Sequence, residues 1–284
     1  MKVIKAEVMG VCEGVKLALH KTINTRENID GDIYLLGNLV HNEILMDYIK
    51  QKDIKILKEG SLEERINSIS HGTVIFSAHG HDESLDELAK NKGLNVIDTT
   101  CPKVKLTINK IKDQLSKNNP VIYIGVNNHP EANAILSISN EIIFIDYKNV
   151  KLPKILLKKP YIFNQTTLSI LEIEAIHKSL LDTYPDAVIE NDICSATTRR
   201  QKSLLNIDEN IHYVLIIGDI SSSNTLRLVE LCKNKYKDKE ILFVSCLEDL
   251  KLHNLDNSKS IFVTAGASTP DITIDPIIQY LENL

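Results

Sequence analysis

No stretch of this chain approaches the ~20 consecutive apolar residues that a bilayer crossing requires, so the sequence argues against a membrane protein. Nor is there a surplus of positive charge: 33 lysines and arginines stand against 38 acids, a net charge of −5. Gripping a nucleic-acid backbone takes clustered Lys and Arg. The lysines between Lys233 and Lys239 are instead mixed with acids, as on a solvated helix end, and no nucleic-acid partner is expected. The opening Met1-Lys2-Val3-Ile4-Lys5 reads as a strand and not as a charged-then-apolar leader, which makes the cytoplasm the expected location. The five cysteines lie far apart in the chain. That excludes a local C-x-x-C metal site, and an odd number so spaced does not suit a secreted disulfide scaffold.

What is present is ordinary in bulk and patterned in detail. The chain has 284 residues, 43% of them hydrophobic and 25% charged, enough for two or three small lobes. Cys12, Cys101 and Cys194 recur nearly a third of the chain apart. Each follows a short extended stretch and precedes a helical pattern. After each come two hydrophobic runs that stop in a polar loop. The first loops centre on His41, His129 and Ser222, and the second on His79, Thr166 and Ser268, at similar distances from their cysteines. One layout repeated three times suggests an internal repeat. Strand and helix patterns alternate throughout, which predicts parallel sheets with helices packed around them. In such sheets ligands bind beyond the carboxyl ends of the strands, where all six loops fall. The expected fold is α/β: three similar lobes over 1–98, 99–191 and 192–284, with mostly parallel sheets in a pseudo-threefold, trefoil-like arrangement. Residues 146–160, with Pro153 and Pro160, read as a connecting segment.

Three cysteines on one axis are able to hold a metal, since soft thiolates select zinc, copper(I) or iron–sulfur. Three protein ligands leave zinc, or a four-iron cluster, one open position, the mark of a catalytic site. Taken singly, each is equally well a small buried apolar residue; the matched spacing favours a shared site. Cys232 and Cys246 match no repeat position and read as structural. His41, His79 and His129 sit in loops after strands, where a histidine binds phosphate oxygens, passes protons or simply caps a helix. Ser222-Ser223-Asn224 and Ala265-Gly266-Ala267-Ser268 precede helices, where hydroxyls, an amide and free N–H groups make an anion site or an ordinary N-cap. His129-Pro130-Glu131 joins a histidine to a carboxylate. Away from bulk water Glu131 would have a raised pKa and act as a proton donor, or else it is a first-turn acid favoured by the helix dipole. Gln165-Thr166-Thr167 offers partners to orient Glu131 or to hold a substrate hydroxyl.

Nine segments between residues 10 and 271 occur in an order that resembles the 4-hydroxy-3-methylbut-2-enyl diphosphate reductase family. They include Gly10-Val11-Cys12-Glu13-Gly14-Val15, Ser77-Ala78-His79-Gly80, Asp98-Thr99-Thr100-Cys101-Pro102, His129-Pro130-Glu131, Asn164-Gln165-Thr166-Thr167 and Thr264-Ala265-Gly266-Ala267-Ser268. Val40-His41-Asn42, Cys194-Ser195-Ala196-Thr197 and Ser222-Ser223-Asn224 complete the set. The resemblance implies a central 4Fe–4S cluster with an open apical iron, held by Cys12, Cys101 and Cys194. It implies a diphosphate bound by His41, His79, His129, Ser222, Ser223, Asn224 and Ser268. Glu131 would be the proton donor, and Thr166 would bind the hydroxyl. The implied reaction is the reductive dehydroxylation of (E)-4-hydroxy-3-methylbut-2-enyl diphosphate to isopentenyl and dimethylallyl diphosphate. It is the terminal step of the methylerythritol phosphate route to isoprenoids, with electrons from ferredoxin or flavodoxin. Val11 and His81 depart from the family's usual residues without removing a ligand. An iron–sulfur hydro-lyase that eliminates water without net reduction, and a zinc protein that senses a phosphorylated metabolite, are the competing readings.

Overall fold

A computed structural model describes residues 1–153, 158–190 and 192–284. Residues 154–157 of the expected connecting segment, and residue 191 at the expected end of the second lobe, lie outside them. The strands are β1 (Lys2–Lys5), β2 (Ile33–Leu36), β3 (Lys55–Leu57), β4 (Thr73–Phe76), β5 (Asn95–Asp98), β6 (Val121–Gly125), β7 (Ile143–Asp146), β8 (Tyr161–Asn164), β9 (Val188–Ile189), β10 (Tyr213–Ile217), β11 (Glu240–Val244) and β12 (Ser260–Ala265). The helices are α1 (Glu13–Asn28), α2 (Glu43–Gln51), α3 (Leu62–Asn67), α4 (Ser84–Asn91), α5 (Pro102–Ser116), α6 (Pro130–Leu136), α7 (Ile170–Thr183), α8 (Ser195–Leu205), α9 (Ser223–Lys235), α10 (Leu247–Lys251) and α11 (Asp271–Glu282).

The strands form three four-stranded sheets, ordered β3-β2-β4-β5, β7-β6-β8-β9 and β11-β10-β12-β1. Every pairing among them is parallel. The orders are the same order three times. The second place belongs to β2, β6 and β10, the third to β4, β8 and β12, and the fourth to β5, β9 and β1. The first strand of the chain therefore closes the last sheet, with Val3 opposite Ile261 and Lys5 opposite Val263.

Both faces of these sheets are covered, as parallel sheets require. Alternate residues of β10 divide between two cores. Tyr213, Leu215 and Ile217 pack with Ile274, Ile277 and Leu281 of α11. Val214 and Ile216 pack with Leu204 of α8 and Leu228, Leu231 and Cys232 of α9. In the second sheet Ile122 and Ile124 meet Ile173, Ile176 and Leu180 of α7. Val121 and Tyr123 face Val104, Ile108 and Ile111 of α5 and Ala132 and Ile135 of α6. Val74 and Phe76 of the first sheet pack with Ile66, Ala89 and Leu94. Each such fully buried aliphatic side chain contributes roughly 1.5–3 kcal/mol. Local chemistry marks the helix starts. Ser61 and Glu64 form a reciprocal capping box on α3, and Pro102 and Pro130 occupy first-turn positions of α5 and α6, where a missing N–H costs nothing.

By compactness the described chain divides into two units. One comprises Met1–Val15, His41–Leu45 and Cys194–Leu284, and contains the third sheet. The other comprises Lys16–Val40 and Met46–Ile193, and contains the first two sheets.

Candidate active site

The repeat places the chemistry. The second strand of each sheet runs into the loops of His41, His129 and Ser222, and the third strand into those of His79, Thr166 and Ser268. The fourth strands β5, β9 and β1 lead to Cys101, Cys194 and Cys12. Every site position singled out in the sequence thus follows a strand's carboxyl end.

In the unit that holds the third sheet, five of these segments are tied together. The Cys12 N–H donates to the Ala267 carbonyl (2.9 Å). The Ala267 N–H donates to Asn224 Oδ1 (3.1 Å), and Asn224 Nδ2 donates to Thr197 Oγ1 (3.2 Å), one turn into α8 beyond Cys194. Ser268 Oγ donates to the His41 carbonyl (3.0 Å) and lies 3.5 Å from Ser222 Oγ. Ser222 caps α9, accepting the Thr225 N–H at 3.4 Å. Ser223 and Asn224 follow in the first turn, where backbone N–H groups and the helix dipole favour an anion. Burial holds the His41 pKa below its ordinary value, against a weaker opposing pull from Asp219, so its imidazole is neutral at pH 7.

Arg200 lies in the segment from Asp192 to Gln201 that carries the resemblance, but the sequence assigns it no role. Its side chain is buried, with Nη1 donating to the Ala196 carbonyl (2.9 Å) and Nη2 to the Gly10 carbonyl (2.5 Å). It therefore pins the Cys12 loop to the first turn of α8. Burial lowers its pKa, and the charges of Cys12 and then Cys194 oppose that fall.

In the other unit, α6 starts at His129. Nδ1 of this residue accepts the Glu131 N–H (3.1 Å). With Nδ1 an acceptor, the neutral ring carries its proton on Nε2. The His79 ring stands edge-on to that of His129, centroids 5.8 Å apart, and its Nδ1 lies 3.3 Å from Ser77 Oγ. Glu131 is only 3% exposed. Its Oε1 accepts the Thr166 N–H (2.8 Å), and its Oε2 accepts the Thr166 hydroxyl (2.8 Å). The Tyr123 hydroxyl lies 3.5 Å from Oε1. Burial raises the Glu131 pKa to about 7, against the lowering effect of those donors. Thr166 is thus the residue that orients the carboxyl. Gln165 braces the preceding loop instead, accepting the Val126 N–H at 2.9 Å and donating to Thr167 Oγ1 at 3.0 Å. His81 is stacked flat on Phe76 at 3.6 Å, and its Nε2 faces Asp86 at 3.2 Å, which fixes the segment following His79.

The residues present suit an iron–sulfur cluster. Cys12, Cys101 and Cys194 are half-buried and form no disulfide with one another. Cys101 and Cys194 occupy N-cap positions without spending their side chains on capping, and Cys12 immediately precedes α1. A helix start favours negative charge. A buried guanidinium needs an anion nearby, and the charges that act on Arg200 in its favour are those of Cys12 and Cys194. Among the described residues no three His, Cys, Asp or Glu side chains are grouped to hold a single metal ion. Cys232 is fully buried in the third sheet's core, its pKa pushed up to about 12 by burial, and Cys246 precedes α10. No helix among the described residues is long and apolar enough to cross a membrane.

Comparison with known proteins agrees with this layout. A family model described as "LytB protein" matches residues 3–282. A 4-hydroxy-3-methylbut-2-enyl diphosphate reductase of Malacoplasma penetrans is 35% identical over 297 residues, covering 99% of this chain and 97% of the relative. One from Shouchella clausii is 32% identical over 287 residues, covering 100% and 91%. Among solved structures, the E-1-hydroxy-2-methyl-but-2-enyl-4-diphosphate reductase of Plasmodium falciparum superposes with a TM-score of 0.86 at 25% identity, covering 99% of this chain and 88% of its own. With nearly its whole length matched by one family model and by full-length relatives, the chain belongs to the LytB protein family.

Proposed function

We propose that this chain catalyses the reductive dehydroxylation of (E)-4-hydroxy-3-methylbut-2-enyl diphosphate to isopentenyl and dimethylallyl diphosphate. The observation that carries the reading is the Glu131 carboxyl: buried, clasped by Thr166 and titrating at about 7. A group that is half protonated near neutral pH is suited to give up a proton on demand. The substrate's C–O bond breaks, its oxygen leaves as water, and two electrons and two protons are consumed. Three lobes, 1–98, 99–191 and 192–284, supply one cysteine each, with β1 lent to the third sheet.

Cys12, Cys101 and Cys194 would hold a 4Fe–4S cluster, whose chemistry is to supply electrons, received from ferredoxin or flavodoxin, and a Lewis-acidic iron. The chain's own residues do the rest. Ser222, Ser223, Asn224 and Ser268 offer hydroxyls, an amide and the N-terminal N–H groups of α9 to the diphosphate, joined by His41, His79 and His129. Binding of that remote group fixes the reacting carbon, so that orientation lowers the barrier. Glu131 Oε1 faces a backbone N–H, which can only donate, so that oxygen must accept. The acid proton therefore sits on Oε2, where the Thr166 hydroxyl is its partner. Thr166 Oγ1 would accept the Glu131 proton as it gives its own hydroxyl proton to the departing oxygen, so one proton passes from Glu131 to the leaving water.

Anaerobic purification followed by iron and sulfide analysis, with turnover assayed under dithionite and a mediator, tests the reading. The wild type should carry four irons and form both products, as such a cluster requires. Glu131→Gln should keep the iron and lose about 10²–10⁴-fold in turnover; wild-type turnover in that variant removes the acid. Cys101→Ser should lose the cluster absorbance, and its retention would sink the ligand assignment. A colourless zinc protein, or water elimination without an electron donor, would point to the competing chemistries.

A further inference from the structure

Tyr123 lies in the middle of β6 and is fully buried. Its register partners on β7 and β8 are Phe144 and Phe163. Three aromatic rings thus line one row of the second sheet, and one of them bears a hydroxyl. Around it are Val104, Ile108, Ile111, Ala132 and Ile135, apolar side chains that phenylalanine would suit equally well. A phenol hydroxyl placed in such surroundings without a partner is unfavourable, so the partner explains the residue. That partner is Glu131 Oε1, 3.5 Å away.

We propose that Tyr123 is a positioning residue for proton delivery by Glu131: its hydroxyl donates to Oε1 as a second donor beside the Thr166 N–H, and so helps hold the acid proton on Oε2, beside Thr166. The proposal rests on Glu131 being the proton donor. The other groups facing the carboxyl come from four further segments. The Thr166 N–H and hydroxyl reach it from the loop after β8. His129 precedes it on α6, with His79 edge-on behind. The buried Asp192 acts on both Glu131 and Tyr123 as a like charge. Asp192 is itself held by Lys103 (2.9 Å) and Lys110 (3.7 Å) of α5. Against that repulsion and the cost of burial, the Tyr123 hydroxyl and the two Thr166 donors favour the ionised carboxyl. The phenol accordingly does two things: it reinforces the choice of oxygen that the Thr166 N–H makes, and it makes the buried carboxyl more acidic.

Tyr123→Phe removes one oxygen from an otherwise apolar surrounding. The test is infrared difference spectroscopy of anaerobic holoenzyme stepped through pH, with the Glu131 carboxyl band identified by its loss in Glu131→Gln. In Tyr123→Phe the protonated C=O stretch should rise in frequency, because Oε1 has lost a donor. The titration midpoint should rise by about half to one pH unit, and the alkaline limb of the kcat profile should follow it. A residue that merely filled space would move neither the band nor the limb. If Tyr123→Phe does not fold, 3-fluorotyrosine installed at position 123 is a stronger donor of the same shape and should move midpoint and limb the opposite way. An unmoved band and midpoint, beside an inactive Glu131→Gln, overturn the role of Tyr123 alone. A moved band beside a fully active Glu131→Gln overturns the acid and, with it, proton delivery.

Discussion

Glu131 is held where its charge is unwelcome, and stability should record it. Its pKa is about 7 in the fold against an ordinary 4.5. Between those values the folded chain keeps a proton that the unfolded chain releases, so the contribution is complete below about 4.5 and is lost as pH rises through about 7. The loss is on the order of 3 kcal/mol. Urea unfolding at pH 5 and pH 8 should show it in the wild type and show less of it in Glu131→Gln; equal slopes would mean that the carboxyl is solvated. At this scale the sequence was only partly legible. A carboxylate next to a histidine at a helix start was a visible signal. Tyr123 was not, because a tyrosine inside an apolar run reads as core until its hydroxyl is seen to meet a carboxylate. Arg200 sits in a polar, basic stretch, and nothing in its spacing says that its side chain turns inward to Gly10. Asn224 was read as an anion ligand, and both ends of its amide are already engaged, with Ala267 and Thr197, so it also shapes the loop it belongs to.

Among the elements, α6 is the one whose placement matters most, since it carries Glu131. Gly80 sets it. Its φ is +89°, and a Cβ there would lie 3.2 Å from Ala134 Cβ on α6 and 3.4 Å from Val104 Cγ1 on α5. Gly80→Ala combines backbone strain with a push on both helices. It should cost about 1–3 kcal/mol and reduce kcat more than a comparable loss elsewhere, because the displaced helix bears the acid. Thermal unfolding beside steady-state kinetics checks both; an unaltered kcat would show that α6 tolerates the shift. Elements were the most legible level. Short apolar runs ending in Gly, His, Ser or Asn marked strand ends, since a buried parallel strand must be apolar throughout and its exit must turn. The partner of each strand was less so. Nothing local in Lys2–Lys5 says that it pairs with Ser260–Ala265, because register across such a separation depends on which sheet has a vacant edge.

For the molecule as a whole, a net charge of −5 sits oddly with an anionic substrate, and the proposed anion loops resolve it without cations. Neutral hydroxyls, an amide and oriented N–H groups attract phosphate at short range while the rest of the surface stays acidic. The placement of β1 has a consequence in time. The strand that completes the third sheet leaves the ribosome about 255 residues before its partner β12. At roughly 5–20 residues per second, β1 and the Cys12 behind it wait for something like 10–50 s with an open edge and no sheet to join. The unit formed by Lys16–Val40 and Met46–Ile193 contains the first two sheets and borrows no strand from the late-made end of the chain, so it is free to fold during synthesis. A nascent chain arrested before residue 260 should therefore protect that unit from protease while Cys12 remains open to alkylation, and extension through β12 should close it. Protection of Cys12 in the arrested chain would show an alternative early partner for β1. On this ordering any group that Cys12 would hold under the proposed function is loaded only after β12 has been made, and a chain cut short before residue 260 would fold over its first two sheets yet leave that site incomplete.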